Sequence, residues 1–238
     1  MALRQMNFGR ASNYRSNGEL YSLRQLAHRW RNEPVVLFDV GANVGEFTLE
    51  ILEAFQKNKF EIYAFEPSTR AGAQLRQRVP DLPNVHVVPK GFSDHEGTAE
   101  LFFPDEGSAL ASLYQRDLAH VNRTFGKKEE VAITTVDRFC EEHRITYLHL
   151  LKIDVEGHEL PLLKGARGLL DRGAIEVIQF EFGGTNIDSR SYFKDFFQLL
   201  SPKYTIHRIL PHGLRELHSY SEKLEIFQSA NYLAIRRS

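Results

Sequence analysis

The chain has 238 residues, enough for one domain with a sizeable core, and 30 basic against 31 acidic side chains give it a formal charge of -1. It therefore offers nucleic acid or an anionic membrane no bulk attraction. Cys140 is the one cysteine, which excludes an intrachain disulfide, a thiol-built zinc cluster and a dithiol redox pair.

No apolar run is long enough to span a bilayer, and the first residues lack the continuous apolar core of a signal peptide. The expectation is a cytoplasmic protein whose partners are small or neutral. Residues before about 17 are polar and irregular. Leu20, Leu23, Leu26, Ala27 and Trp30 then recur at helical spacing and predict a helix over residues 19–30, packed beside the first strand. The leader carrying Tyr14 and Arg15 is either a frayed terminus or a flap over a ligand. Residues 1–34 thus form a leader and helix, residues 35–238 the main domain, and residues 98–136 a candidate substrate-cap insertion.

Residues 35–40, β-branched and apolar, read as a central parallel strand covered on both faces. The strand runs into Gly41-Ala42-Asn43-Val44-Gly45, where the glycines and Asn43 tolerate positive φ and can present bare N–H groups to a ligand. A dinucleotide fingerprint would have a second glycine where Asn43 stands, to admit a pyrophosphate. Acidic Asp39 before the turn suits a ligand with a positive centre and no phosphate there, such as S-adenosylmethionine with its sulfonium and ammonium groups.

A helix from Phe47 to about Asn58 leads to a second strand over residues 60–65, which delivers Glu66 and Pro67. A carboxylate in that position can accept hydrogen bonds from both ribose hydroxyls. Pro67 and Ser68 start a helix through Val79. A third strand over residues 84–88 precedes Gly91-Phe92-Ser93-Asp94, where Asp94 either takes an adenine amino group or initiates the turn through Gly97. Strands are predicted over residues 98–103 and 131–136. The polar stretch between them, residues 104–130, is long for a structureless loop; residues 108–113 are expected to close over the site, and Lys127-Lys128-Glu129-Glu130 to be a solvated face.

Further on, the pattern predicts helices over residues 135–143, 157–170 and 191–200, and strands over 147–154, 174–182, 205–210 and 232–236. Alternating strands and helices imply a mostly parallel sheet, whose ligands sit beyond the strand C-termini where strand order reverses. Asp39, Glu66, Asp94, Asp154 and Glu181 all fall at such ends, which argues for a single site.

Lys152-Ile153-Asp154-Val155-Glu156-Gly157-His158-Glu159 packs five ionisable side chains onto the end of an apolar strand. If its strand neighbours the one carrying Gln179 and Glu181, Lys152 sits among carboxylates, where a buried cation must be paired. Together with Phe38-Asp39-Val40-Gly41-Ala42-Asn43-Val44-Gly45, Phe65-Glu66-Pro67, and Ser93-Asp94 with Gly97, this segment resembles the FkbM family of S-adenosylmethionine-dependent methyltransferases over about residues 36–182. The resemblance implies a Rossmann-like, seven-stranded class I methyltransferase sheet ordered 3-2-1-4-5-7-6, with the last strand antiparallel. It also implies O-methylation of a small natural product or sugar, with S-adenosylhomocysteine as product. By the same resemblance Asp39, Gly41, Asn43, Gly45, Glu66, Pro67, Ser93 and Asp94 line the cofactor and Asp154 lies near its methionine end. Residues 104–130 and everything from Thr185 onward match no motif and are expected to choose the acceptor.

An alcohol is a poor nucleophile until deprotonated, so a base is useful; Asp154, His158, Glu156 and Glu181 are the candidates. His158 titrates nearest neutral pH. No metal is assigned, although Asp154 with Glu181 or Asn186 is an alternative cation site. Two further readings compete: a non-catalytic binding or assembly protein that has kept the fold, and a nicotinamide oxidoreductase, which the broken glycine fingerprint disfavours. Base methylation in nucleic acid is disfavoured because no Asn/Asp-Pro-Pro-aromatic turn follows Asp154.

Overall fold

The structure, a computed structural model, describes residues 15–104, 110–118 and 123–237. Its helices are α1 (Glu19–Arg29), α2 (Glu46–Phe55), α3 (Thr69–Arg78), α4 (Val136–Glu142), α5 (Glu159–Lys164), α6 (Arg167–Arg172), α7 (Thr185–Asp188) and α8 (Phe193–Leu200). The main sheet is built from β1 (Val35–Val40), β2 (Phe60–Phe65), β3 (Val85–Val88), β9 (Leu148–Ile153), β10 (Ile175–Phe182), β11 (Tyr204–Leu210), β12 (Gly213–Glu216) and β13 (Ala230–Arg236). A smaller three-stranded sheet comprises β4 (Gly91–Phe92), β5 (Gly97–Phe103) and β8 (Lys127–Thr134), and β6 (Asp117–Leu118) pairs with β7 (Arg123–Thr124).

The main sheet runs β12-β11-β13-β10-β9-β1-β2-β3. Strands β3, β2, β1, β9 and β10 are parallel, whereas β13 is antiparallel to both β10 and β11. This is the expected order with the antiparallel strand in its place. It gains an eighth strand that the sequence did not predict: β12 extends the edge beside β11, and its short, exposed segment carries no strong strand pattern.

Side-chain alternation divides the core. Leu37, Leu150 and Val177 occupy one row across β1, β9 and β10 and pack with Leu23, Leu26, Trp30, Ile51 and Phe55 beneath α1 and α2. On the opposite face Phe38, Phe65, Phe92 and Phe139 join Leu162, Leu163, Phe193 and Phe196 under α4, α5 and α8. Burying each such side chain is worth about 1.5–3 kcal/mol, so each face is a core in itself.

Several boundaries shifted for local reasons. The helix expected over residues 157–170 is broken into α5 and α6, because the Asp137 carboxylate accepts hydrogen bonds from the Gly168 and Leu169 N–H groups and so caps a second helix start. The strand expected over residues 131–136 begins earlier, at Lys127. It ends at Thr134, since the Thr135 hydroxyl accepts from the Arg138 N–H as the cap of α4. Lys127-Lys128-Glu129-Glu130 is therefore strand, antiparallel to β5, with mostly exposed side chains. Among the described residues no helix is long and apolar enough to cross a membrane.

Candidate active site

The parallel strands end on one side of the sheet, and each delivers part of a crevice. After β1 the chain turns at Gly41, whose φ of 78° and crowding suit glycine alone: a Cβ there would lie 1.8 Å from the Asp154 carbonyl oxygen. Asn43 takes the expected left-handed conformation, φ 48°. Its N–H donates to Glu66 Oε2 at 2.8 Å, while Glu66 Oε1 accepts from the Ser68 N–H at 2.9 Å. One carboxylate thus ties the first turn to the second, and each of its oxygens keeps a lone pair for a ligand. Burial pushes the Glu66 carboxyl up to about 7, against those two hydrogen bonds, which favour the ion.

Asp39, Lys152 and Gln179 stand in register across β1, β9 and β10, a polar row directly above the apolar row of Leu37, Leu150 and Val177. Lys152, only 4% exposed, places Nζ 3.1 Å from Asp39 and 3.4 Å from Asp154 and lies over the Phe47 ring at 4.8 Å. Burial pulls its ammonium down, but Asp39, Asp154 and Glu19 outweigh that and hold it above its ordinary value. The conditional expectation of a lysine between carboxylates is met.

Two adjoining cavities share Gly41, Asn43, Asp154 and Glu156 in their walls. The larger, of about 500 Å³, is acidic: Glu19, Asp154, Glu156 and Glu181 face Lys152 and Arg116. The other is lined by Glu66 and by apolar Pro67, Phe92, Leu101, Leu113 and Ile133. Burial raises Glu156 to about 8, with Asp154 adding to the shift and Arg116 opposing it. Burial, Asp154 and Glu156 likewise hold Glu181 well above the usual carboxylate range. Glu159, beneath the turn, accepts from the Val155 and Gly157 N–H groups and is raised to about 7 by burial.

Of the residues expected at the site, Gly41, Asn43, Glu66, Pro67, Asp154 and Glu181 line these cavities. Four others expected to line the cofactor are not among the residues lining these cavities. Asp39 is fully buried below the turn, its carboxylate taken by Lys152 and by the Thr48 hydroxyl at 2.7 Å. Gly45 supports the turn from behind, where a Cβ would meet Leu75 at 2.7 Å. Ser93 is buried against His158, and Asp94 is 48% exposed and bonded to His95 at 2.7 Å, which holds its carboxyl below the ordinary value. His158 lies in the apolar cavity, away from Glu181, with Nδ1 3.2 Å from the Tyr114 hydroxyl and Nε2 2.9 Å from Ser93 Oγ. Burial lowers its imidazole to about 4, so it is neutral at physiological pH. Of the alternative cation ligands, Asp154 and Glu181 line the acidic cavity together, whereas buried Asn186 uses its Oδ1 to accept from the Gly183 N–H.

Sequence reasoning missed Glu19 and Arg116. Glu19 shares a helix face with Leu23 and Leu26, at i+4 and i+7, and a carboxylate on an apolar face was the available signal. Arg116 carried none; it pairs with Glu156 at 2.9 Å and Asp188 at 3.3 Å. Of residues 108–113, expected to close over the site, those described lie at the two cavities. Leu110 lines the acidic cavity, Ala111 and Leu113 the apolar one, and the Ser112 hydroxyl donates to the Glu156 carbonyl at 2.7 Å. Ser108 and Ala109, like Tyr14, lie outside the described residues.

Comparison with known proteins agrees with this architecture. The chain is 23% identical over 159 residues to the 2-O-methyltransferase NoeI of Sinorhizobium fredii, covering 63% of this chain and 64% of that protein. It is 26% identical over 153 residues to the hexuronic acid methyltransferase AglP of Haloferax volcanii, covering 63% and 58%. The match therefore spans less than two thirds of either relative. Among solved structures, the plantazolicin methyltransferase BamL superposes with a TM-score of 0.53 at 10% identity, over 96% of this chain and 87% of that one. The FkbM methyltransferase of Methylobacillus flagellatus gives 0.50 at 16% identity, over 84% and 43%. These likenesses establish the α/β methyltransferase fold. The Methyltransferase FkbM domain matches residues 39–208, most of the chain, and the chain belongs to that family.

Proposed function

We propose that the chain is an S-adenosylmethionine-dependent methyltransferase that O-methylates a hydroxyl of a small acceptor, a sugar or natural product. The observation that carries this reading is the pairing of two cavities at the strand C-termini: an apolar one with Glu66 at its edge, and an acidic one reached past Asp154. The apolar lining of the first, which includes Pro67, Phe92 and Leu113, suits a planar base, and Glu66 has lone pairs to offer ribose hydroxyls. The surplus of carboxylates over Lys152 and Arg116 in the second, each cation already paired, suits a sulfonium and an ammonium. Bound there, the donor supplies an activated methyl group with its own leaving group.

The protein's share is to hold an acceptor oxygen in line and to manage one proton. Asp154 and Glu181 face that position; His158, with both nitrogens engaged in the other cavity, belongs with donor binding. NoeI and AglP, named for 2-O- and hexuronic acid methylation, support a hydroxylated, sugar-like acceptor. BamL was solved with S-adenosylhomocysteine, which supports the donor. A soluble acceptor met in the cytoplasm fits the near-neutral charge and single cysteine better than a nucleic acid or a membrane does. The deciding experiment is calorimetry with S-adenosylhomocysteine and with NAD, followed by a panel of hydroxyl-rich metabolites with labelled S-adenosylmethionine. Thioether binding and a labelled O-methyl product are expected. Binding without transfer to any acceptor would instead favour the non-catalytic reading.

A further inference from the structure

We propose that Glu19 is the carboxylate that faces the transferred methyl group and takes the proton of the acceptor hydroxyl, a role that rests on the methyltransferase reading above. Glu19 opens α1, is 5% exposed, and lines the acidic cavity. Three neutral amides fix it: Asn17 Nδ2 donates to Oε1 at 2.5 Å, Asn231 Nδ2 to Oε1 at 2.8 Å, and Gln179 Nε2 to Oε2 at 2.7 Å. Gly18 makes that position attainable. At φ 104° it packs so closely on β11 that a Cβ would lie 2.0 Å from the Leu210 carbonyl oxygen. A carboxylate held this firmly, with no direct ion pair among the described residues, in the wall of the cavity proposed to take a cationic donor is more than a helix-capping residue.

Its place in the sheet selects the acceptor side. Glu66 ends β2, whereas the amides that hold Glu19 come from β10 and β13, three and four strands away in the order β2-β1-β9-β10-β13. At about 4.8 Å per strand this puts them roughly 15–20 Å apart. A donor with its ribose at Glu66 would run past Gly41 and Asp154, which line both cavities, toward the cavity that Glu19 lines. In the transfer, the hydroxyl oxygen forms the new bond to the methyl carbon, the sulfur–carbon bond breaks with its electron pair left on sulfur, and the hydroxyl proton passes to Glu19.

The other carboxylates are less free for this task. Asp154 and Glu156 are paired with Lys152 and Arg116, and burial together with the neighbouring Asp154 and Glu156 holds the Glu181 carboxyl well above the usual carboxylate range. Burial raises Glu19 itself to about 7, opposed by Asn17 and Lys152 and assisted by Asp154, close to the pH at which a base is most effective. The groups facing it are Lys152 and Asp154 from β9 and the turn after it, Gln179 from β10, Asn231 from β13 and Asn17 from its own segment.

The test uses the full chain and two donor analogues: S-adenosylhomocysteine, a neutral thioether, and the analogue bearing an amine where the methylated sulfonium stands. Glu19→Gln is expected to leave thioether affinity unchanged and to weaken the amine analogue about tenfold, the scale of one charge–charge attraction across a partly solvated cavity. With a hydroxyl acceptor that the wild type methylates, the same variant should lower kcat about a hundredfold or more at little change in KM. It should also flatten the acidic limb of the pH–rate profile. Equal losses for both analogues mark a structural role and overturn the proposal, as does an unchanged amine-analogue affinity. Should Glu19→Gln fail to fold, wild-type calorimetry in buffers of different ionisation enthalpy still decides. Near neutral pH the amine analogue is expected to displace more protons than the thioether does, and equal displacement overturns the assignment. A wild type that binds neither analogue removes the methyltransferase reading, and the proposal with it.

Discussion

The two ends of the main sheet handle buried carboxylates in opposite ways. Near the strand N-termini, Glu176 receives the Trp30 indole N–H at 3.0 Å, the Tyr147 hydroxyl at 3.2 Å and the Arg29 guanidinium at 2.9 Å. At the C-terminal end Glu19 and Glu181 line a cavity whose two cations are already paired, Lys152 with Asp39 and Asp154 and Arg116 with Glu156 and Asp188, while Glu66 lines the adjoining cavity with no cation beside it among the described residues. A balanced end holds the fold together; an unbalanced end stays costly until a cation arrives. The surplus charge, more than any single motif, distinguishes site from scaffold.

Removing the cation that keeps the unbalanced end tolerable is the harshest challenge to that contrast. Lys152→Met leaves Asp39 buried without its partner and is expected to cost about 3–5 kcal/mol in denaturant unfolding, the range seen when one member of a buried pair is deleted. A loss under about 1 kcal/mol, the size of an ordinary surface change, would mean that the row of Asp39, Lys152 and Gln179 is not the electrostatic centre.

Glu66→Ala acts on binding instead. It frees the Asn43 and Ser68 N–H groups and removes the ribose acceptors, so S-adenosylhomocysteine affinity should fall about a hundredfold by calorimetry. Unchanged affinity would take Glu66 out of the site.

pH sharpens the same comparison. Glu19, Glu66 and Glu159 are raised from 4.5 to about 7, and Glu156 to about 8. An acid whose folded pKa is raised binds more protons folded than unfolded, so its contribution is complete below about 4.5 and is lost as pH rises through 7 to 8. The melting temperature of the ligand-free protein should therefore drop by several degrees from about pH 5 to about pH 8. A sulfonium donor should reduce the drop. A melting temperature that rises over this interval would refute the surplus.

The mildest effect is expected at the balanced end. Glu176→Gln keeps an acceptor for Trp30 and should cost about 1 kcal/mol of stability. Donor affinity should not move; if it does, the two ends are coupled and the contrast fails.

What the sequence made legible follows the reach of each interaction. The turn after β1, Glu66 after β2 and Asp154 after β9 are set by short segments whose strand and glycine pattern is local, and the structure brings them to one crevice. The break between α5 and α6 was hidden because its cap, Asp137, lies 31 residues before Gly168. Arg116 was hidden because it reaches the site only through pairings with Glu156 and Asp188. The contacts of Asp94 and Ser93 were not legible because a motif fixes where the chain passes, whereas the rotamer is set by neighbours such as His95 and His158. Glu19 was half legible: its helix was predicted, its face could have been read, and only the strand order showed what lay opposite.

Residues 110–116 lie across both cavities, joined to the Glu156 carbonyl through Ser112 and to His158 through Tyr114. If donor and acceptor bind as proposed, release of spent donor from the apolar cavity is where parting those contacts would matter, since Tyr114 does not line the acidic one. Were unfastening this short peptide to set the pace of repeated cycles, the expected kinetic fingerprint would be a fast first round per chain followed by a slower steady rate, read in a rapid-mixing experiment.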